Sequence, residues 1–174
     1  MDSNFTIRKL EPKDANLMLE WMIDKTITCN FRFNFLSMTK EKVLDFINHS
    51  CDDKNKHFAI INSKDEYQGT VSLKNISYID RNAEYAIVTR KCAQGTGAAY
   101  QGTIKILEYA FNELALHRVY LNVLEDNIRA NEFYKKCGFS FEGKFLNHIY
   151  VDNELKNLNW YGINLSNLKK IIAK

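Results

Sequence analysis

The sequence is short of the residues that mark several common kinds of site. Its cysteines, Cys29, Cys51, Cys92 and Cys137, show no C-x-x-C spacing, which argues against zinc-ribbon and dithiol redox readings. The histidines, His49, His57, His117 and His148, are too scattered for a ligand cluster, so no metal is expected. No apolar run is long enough to span a bilayer, and no signal-like segment opens the chain. No membrane partner is therefore expected, and a cytoplasmic location with reduced thiols is. Charge of one sign is also scarce: 24 basic against 21 acidic residues leave +3, with the basic residues dispersed. That balance gives no footprint for nucleic acid. No repeat, low-complexity tract or linker interrupts residues 1–174, so one domain is expected. The hydrophobic fraction of 45% is enough for a sizeable core.

What is present concentrates between Asn82 and Phe139. Ala83 to Arg90 is rich in β-branched and aromatic residues and reads as a strand. Gln94-Gly95-Thr96-Gly97-Ala98-Ala99 reads as a tight turn. Ile106, Leu107, Ala110, Phe111 and Leu114 then recur at helical spacing. A strand, a small-residue turn and a helix leave free N–H groups at the helix start, where the dipole adds positive charge. Such a turn binds phosphate without a basic side chain, provided nothing bulky at Gly95, Gly97 or Ala99 keeps the ligand off the backbone. A dinucleotide fingerprint would need a third glycine where Tyr100 stands, although Glu125 is placed to end the next strand. The phosphate-loop pattern fails for want of Gly-Lys-Ser/Thr. A plain structural turn stays open beside these.

The order of motifs carries a resemblance. Gln94 to Ala99 fits Gln/Arg-x-x-Gly-x-Gly/Ala, the pyrophosphate motif of the GNAT N-acetyltransferases. A helix (Tyr100 to Leu116) and a strand (Arg118 to Leu124) follow, then Asn127, Tyr134 seven residues on, and Gly138-Phe139. The segment resembles the acetyl-CoA core of that family. The resemblance implies an α+β fold, a mixed central sheet flanked by helices.

The rest of the chain agrees with that order. Phe5 to Leu10 reads as a strand, and Glu11-Pro12-Lys13-Asp14 opens a helix with Leu17, Met18, Trp21 and Met22 on one face. Thr26 to Leu36, with Phe31, Phe33 and Phe35, reads either as a packed strand or loop or as a wall of the acceptor site. Ser37 or Thr39 caps a second helix. His57 to Ile61 and Gln68 to Leu73 read as strands, joined at Lys64-Asp65-Glu66. Asn75 to Arg81 reads as a polar connection. Phe145 to Val151 and Leu155 to Ile163 read as a last hairpin, turning at Asp152-Asn153.

By resemblance, the cosubstrate is acetyl-CoA and the reaction is acetyl transfer to a primary amine on a small molecule. Gln94, Gly95, Thr96, Gly97, Ala98 and Ala99 would hold the diphosphate. Thr96 departs from the basic residue often found there, which leaves the contacts to backbone N–H groups. Ile87, Val88 and Thr89 would pair with the pantetheine amides as an added strand does, and Asn127 would hydrogen-bond the same arm. Tyr134 is the candidate general acid and Glu84 the candidate base, acting directly or through water. The acceptor segment carries Arg32 and no acid, which points to a nucleotide-linked amino sugar. Alternatives are a polyamine, a protein N-terminus of the ribosomal-protein type, and a non-catalytic CoA-binding module. A homodimer is compatible with the sequence.

Overall fold

The computed structural model describes residues 4–29, 31, 33–151 and 153–173. Its seven strands are β1 (Thr6–Lys9), β2 (Lys56–Ile61), β3 (Tyr67–Ser77), β4 (Asn82–Thr89), β5 (Arg118–Leu124), β6 (Ser140–Val151) and β7 (Glu154–Asn164). They form one sheet in the order β1-β2-β3-β4-β5-β7-β6. Every neighbouring pair is antiparallel except β4 with β5. That parallel pair is held at three points, Asn82↔Arg118, Ala83↔Val119 and Glu84↔Tyr120. Beyond Glu84, β4 continues against β3 to Thr89, while β5 continues against β7 to Leu124. The two strands therefore part, and a wedge opens between them on the side of Tyr85.

Among the described residues, six α-helices flank the sheet: α1 (Ala15–Met22), α2 (Lys25–Thr28), α3 (Lys40–Asn48), α4 (Ala98–Glu108), α5 (Ile128–Lys136) and α6 (Leu165–Ile172). Alternation along β4 divides the core between the two faces of the sheet. Ala83 and Tyr85 join the cluster under α4, which includes Ile106, Leu107 and Phe111. Each fully buried aliphatic side chain there is worth roughly 1.5–3 kcal/mol relative to exposure. The Tyr85 and Thr103 hydroxyls, 2.7 Å apart, pin α4 to β4. On the opposite face, α1 and α3 bury Met18, Trp21, Val43 and Ile47 against Ala59, Ile61 and Tyr67.

The mixed sheet with flanking helices matches the expected class, and β5 spans the expected residues. Several boundaries differ. The helix expected over Tyr100 to Leu116 starts at Ala98, leaves α geometry at Glu108 and ends in a π-helical turn, Tyr109–Glu113. Asn75 to Arg81 is not a loop throughout: β3 runs to Ser77, and only Tyr78 to Arg81 turns, with Arg81 at φ 52°. Thr26 to Leu36 holds no strand among its described residues; α2 ends at Thr28 and a 3-10 turn covers Phe35–Ser37. Thr39, rather than Ser37, caps α3, accepting from the Lys42 N–H at 3.4 Å. Helix α6, not anticipated from its pattern, packs Leu168 into the main core. Arg32 and Asp152 lie outside the described residues.

Candidate active site

The Gln94–Ala99 segment folds as a turn that opens α4. Gly95 and Gly97 sit at φ +79° and +96°, backbone that L side chains rarely adopt. A Cβ added at Gly95 would meet nothing within 4 Å, and one at Gly97 only the Gln101 side chain at 3.8 Å. The glycines thus serve conformation and leave open space over the backbone. No side chain caps α4. The Thr96 hydroxyl is engaged within the turn, donating to the Ala93 carbonyl at 2.7 Å and accepting from the Ala98 N–H at 3.3 Å. An exposed turn whose Gly95, Gly97 and Ala99 N–H groups have no partner among the described residues, with no bulk above the glycines, fits a diphosphate.

The wedge begins one strand away. Ile87, Val88 and Thr89 lie on the part of β4 that has left β5, so their backbone faces the gap without a partner strand. Across the gap, Asn127 caps α5, its side chain accepting from the Ala130 N–H at 3.1 Å. One turn further on, Asn131 is 5% exposed and ties the region together. Its Nδ2 donates to the carbonyls of Leu124 (2.9 Å) and Asn127 (2.8 Å). Its Oδ1 accepts from Asn159 Nδ2 and the Tyr161 hydroxyl, each at 2.9 Å. Sequence reasoning passed over Asn131; the i, i+4, i+7 spacing of Asn127, Asn131 and Tyr134 was the available signal.

Tyr134 stands on that same face of α5. Its ring centroid lies 6.1 Å from Tyr85, 6.0 Å from Phe139 and 6.4 Å from Tyr161. Among the described residues, no hydrogen bond reaches its hydroxyl. Burial pushes that hydroxyl up to about 12, with the neighbouring Cys137 adding to the shift.

The opposite face of the sheet carries a cavity of about 320 Å³, set against Ala86 and Val88. Trp21, Phe31, Phe33 and Phe35 form its aromatic wall, with Phe33 and Phe35 edge-on at 4.8 Å. Of the Thr26 to Leu36 segment, Phe35 packs against the α1–α3 core, and Phe31, Phe33 and Phe35 line this cavity. His57 and Ser72 are the polar side of this cavity, His57 Nδ1 lying 2.7 Å from the Ser72 hydroxyl. Desolvation, then repulsion from Lys74, lowers His57 to about 4, so its imidazole is neutral at neutral pH. Glu84, on the same face by alternation, stands at the point where the strands part. Its carboxylate accepts from Lys74 Nζ at 3.0 Å and Asn75 Nδ2 at 2.9 Å. Glu125, which a dinucleotide fingerprint would use on a ribose, is instead bound to Lys144 and Asn157. Among the described residues, no group of His, Cys, Asp and Glu is placed to hold a metal, and no helix is long and apolar enough to cross a membrane.

Residues 4–140, which hold the glycine turn, the parted β4–β5 pair, Asn127 and Tyr134, match the acetyltransferase (GNAT) domain family. The chain belongs to that family. It resembles the spermidine N(1)-acetyltransferase of Vibrio cholerae, 28% identical over 159 residues that cover 91% of each chain. A Bacillus subtilis protein named, provisionally, a ribosomal N-acetyltransferase is 26% identical over 94% of this chain and 92% of its own. The crystal structure of the V. cholerae spermidine N-acetyltransferase with CoA and spermine superposes with a TM-score of 0.86 at 26% identity, covering 96% of this chain and 99% of that one. The protein is a GNAT-fold N-acetyltransferase whose acyl donor is acetyl-CoA.

Proposed function

We propose that this enzyme acetylates a primary amine of an aliphatic polyamine, the second of the acceptor classes read from the sequence. The observation that carries the proposal is the apolar cavity lying against β4 beside the wedge. Its aromatic and methionine walls suit a methylene chain, and aromatic faces also attract ammonium groups. Glu84, two residues before Ala86 on β4, is the carboxylate proposed to serve the amine. The V. cholerae relatives named for spermidine support the same class over a nucleotide-linked amino sugar. Arg32, the residue that favours an amino-sugar nucleotide, is outside the described residues.

In this reading the Gly95–Ala99 backbone holds the donor's diphosphate, and Ile87, Val88, Thr89 and Asn127 hold its pantetheine arm. Acetyl-CoA supplies an activated thioester. Glu84 draws in the ammonium and accepts its proton, directly or through water, and the neutral amine then attacks. As the C–S bond breaks, the Tyr134 hydroxyl, kept protonated by burial, gives its proton to the departing sulfur and is restored by the proton that the new amide nitrogen releases. A solved structure of the V. cholerae relative is dodecameric, at 25% identity and a TM-score of 0.75, which supports self-association here. A single monomeric species in sedimentation at all concentrations would remove that part.

Thiol release from acetyl-CoA tests the acceptor, with spermidine, spermine, a nucleotide-linked amino sugar and a peptide with a free N-terminus compared at equal concentration. The highest kcat/KM is expected with a polyamine. Preference for the sugar nucleotide or the peptide overturns the assignment.

A further inference from the structure

The phosphate turn has no basic side chain of its own, and Thr96 is occupied inside it. Helix α5 brings the missing charge from outside the motif. Arg129 Nη1 donates to Gln94 Oε1 at 2.9 Å, joining residues 35 apart in the chain. Seven residues later, Lys136 Nζ lies 5.8 Å from the centre of the Tyr100 ring, in the first turn of α4. Positions i and i+7 share a helix face, so α5 turns one basic edge toward the start of α4. Both side chains are exposed, and neither has a carboxylate partner among the described residues. Arg129 is instead held by a neutral amide, which orients the guanidinium and leaves its charge uncompensated. The family motif opens on Gln or Arg; here Gln94 acts as the holder of an arginine supplied by another element.

We propose that Arg129, oriented by Gln94 and backed by Lys136, is the side-chain cation that binds a phosphate group of the acyl donor. This rests on the reading of the Gly95–Ala99 turn as the donor's phosphate site. A guanidinium matches phosphate geometry with paired donors, so Arg129 is the principal contact and Lys136 adds a point charge. Two phosphates of CoA offer that chemistry, the diphosphate and the 3′-phosphate.

Binding to the full-length protein, measured by calorimetry, tests the proposal without turnover. CoA, dephospho-CoA and pantetheine are titrated into the wild type, Arg129→Gln and Lys136→Gln, with melting curves to check folding. Arg129→Gln is expected to weaken CoA about ten- to a hundredfold, to flatten the salt dependence of binding, and to leave pantetheine unchanged. Lys136→Gln is expected to weaken CoA by a smaller factor. If dephospho-CoA is weakened as much as CoA, the diphosphate is the group bound; if it is not weakened, the 3′-phosphate is. CoA affinity within twofold of wild type in a folded Arg129→Gln protein overturns the proposal. Should wild-type protein bind CoA no better than pantetheine, the phosphate reading of the turn itself fails.

Discussion

Replacing Tyr134 with Phe removes one oxygen and little else. The ring keeps its contacts with Tyr85, Phe139 and Tyr161. No hydrogen bond to the hydroxyl exists among the described residues, so no partner is orphaned. Stability should therefore stay within about 0.5 kcal/mol of wild type, the range of substitutions that touch no special feature. Binding of CoA should be unchanged as well. Turnover should not be. A positioned general acid contributes about 10²–10⁴-fold, equivalent to about 2.7–5.5 kcal/mol of barrier. Because burial holds the hydroxyl at about 12, it stays protonated through neutral and mildly alkaline pH. The loss should accordingly be constant from about pH 7 to pH 9. Thiol release under saturating acetyl-CoA, with a melting curve and a CoA titration on the same preparation, separates these effects. A folded Tyr134→Phe enzyme that binds CoA normally and keeps turnover within about threefold would refute the general-acid role and reduce Tyr134 to a packing residue.

Two further predictions concern stability. His57 has a folded-state value of about 4 against an ordinary 6.5, so the unfolded chain binds its proton first as pH falls. Its contribution is fully present above pH 6.5 and is lost between pH 6.5 and about 4, by on the order of 3 kcal/mol. The difference in unfolding free energy between wild type and His57→Gln should change by about that amount over this window; a pH-independent difference would show that His57 titrates normally. Asn131→Leu removes a buried hub whose partners are the Leu124 and Asn127 carbonyls, Asn159 and Tyr161. It should cost about 2–4 kcal/mol in denaturant unfolding, and a cost under about 1 kcal/mol would mean that water replaces the hub.

The parts legible in the sequence were those set by local chemistry. Glycines at Gly95 and Gly97 announce positive φ, so the turn could be placed from its residues, whereas α5 was placed by the family resemblance that Gln94, Asn127 and Tyr134 carry. The family order placed β5 residue for residue. The cavity was less legible, because Trp21, Phe35 and His57 meet only after α1, the Phe31–Phe35 segment and β2 have packed. The Arg129–Gln94 bond is invisible for the same reason: it joins α5 to the turn before α4, residues 35 apart that meet only in the fold. Helix α6 was hidden because Leu155 to Ile163 runs straight into it, and its Asn164 cap, accepting from the Asn167 N–H, looks like strand-end polarity. The extension of β3 through Asn75 depends on a left-handed residue, φ 51°, within a strand, which propensity does not anticipate.

The three-point seam between β4 and β5 has a mechanical consequence. Each half of the sheet is stitched by antiparallel ladders of its own, whereas the join between halves relies on three residue pairs and the helices laid across it. The sheet is thus two antiparallel plates sharing a short crease, and motion along that crease costs little backbone hydrogen bonding. On the proposed placement of the donor between β4 and β5, the donor acts as a tie-bar. Its affinity becomes rigidity, about 2.7 kcal/mol of added stability at a hundredfold excess over Kd, delivered where the plates would otherwise slide.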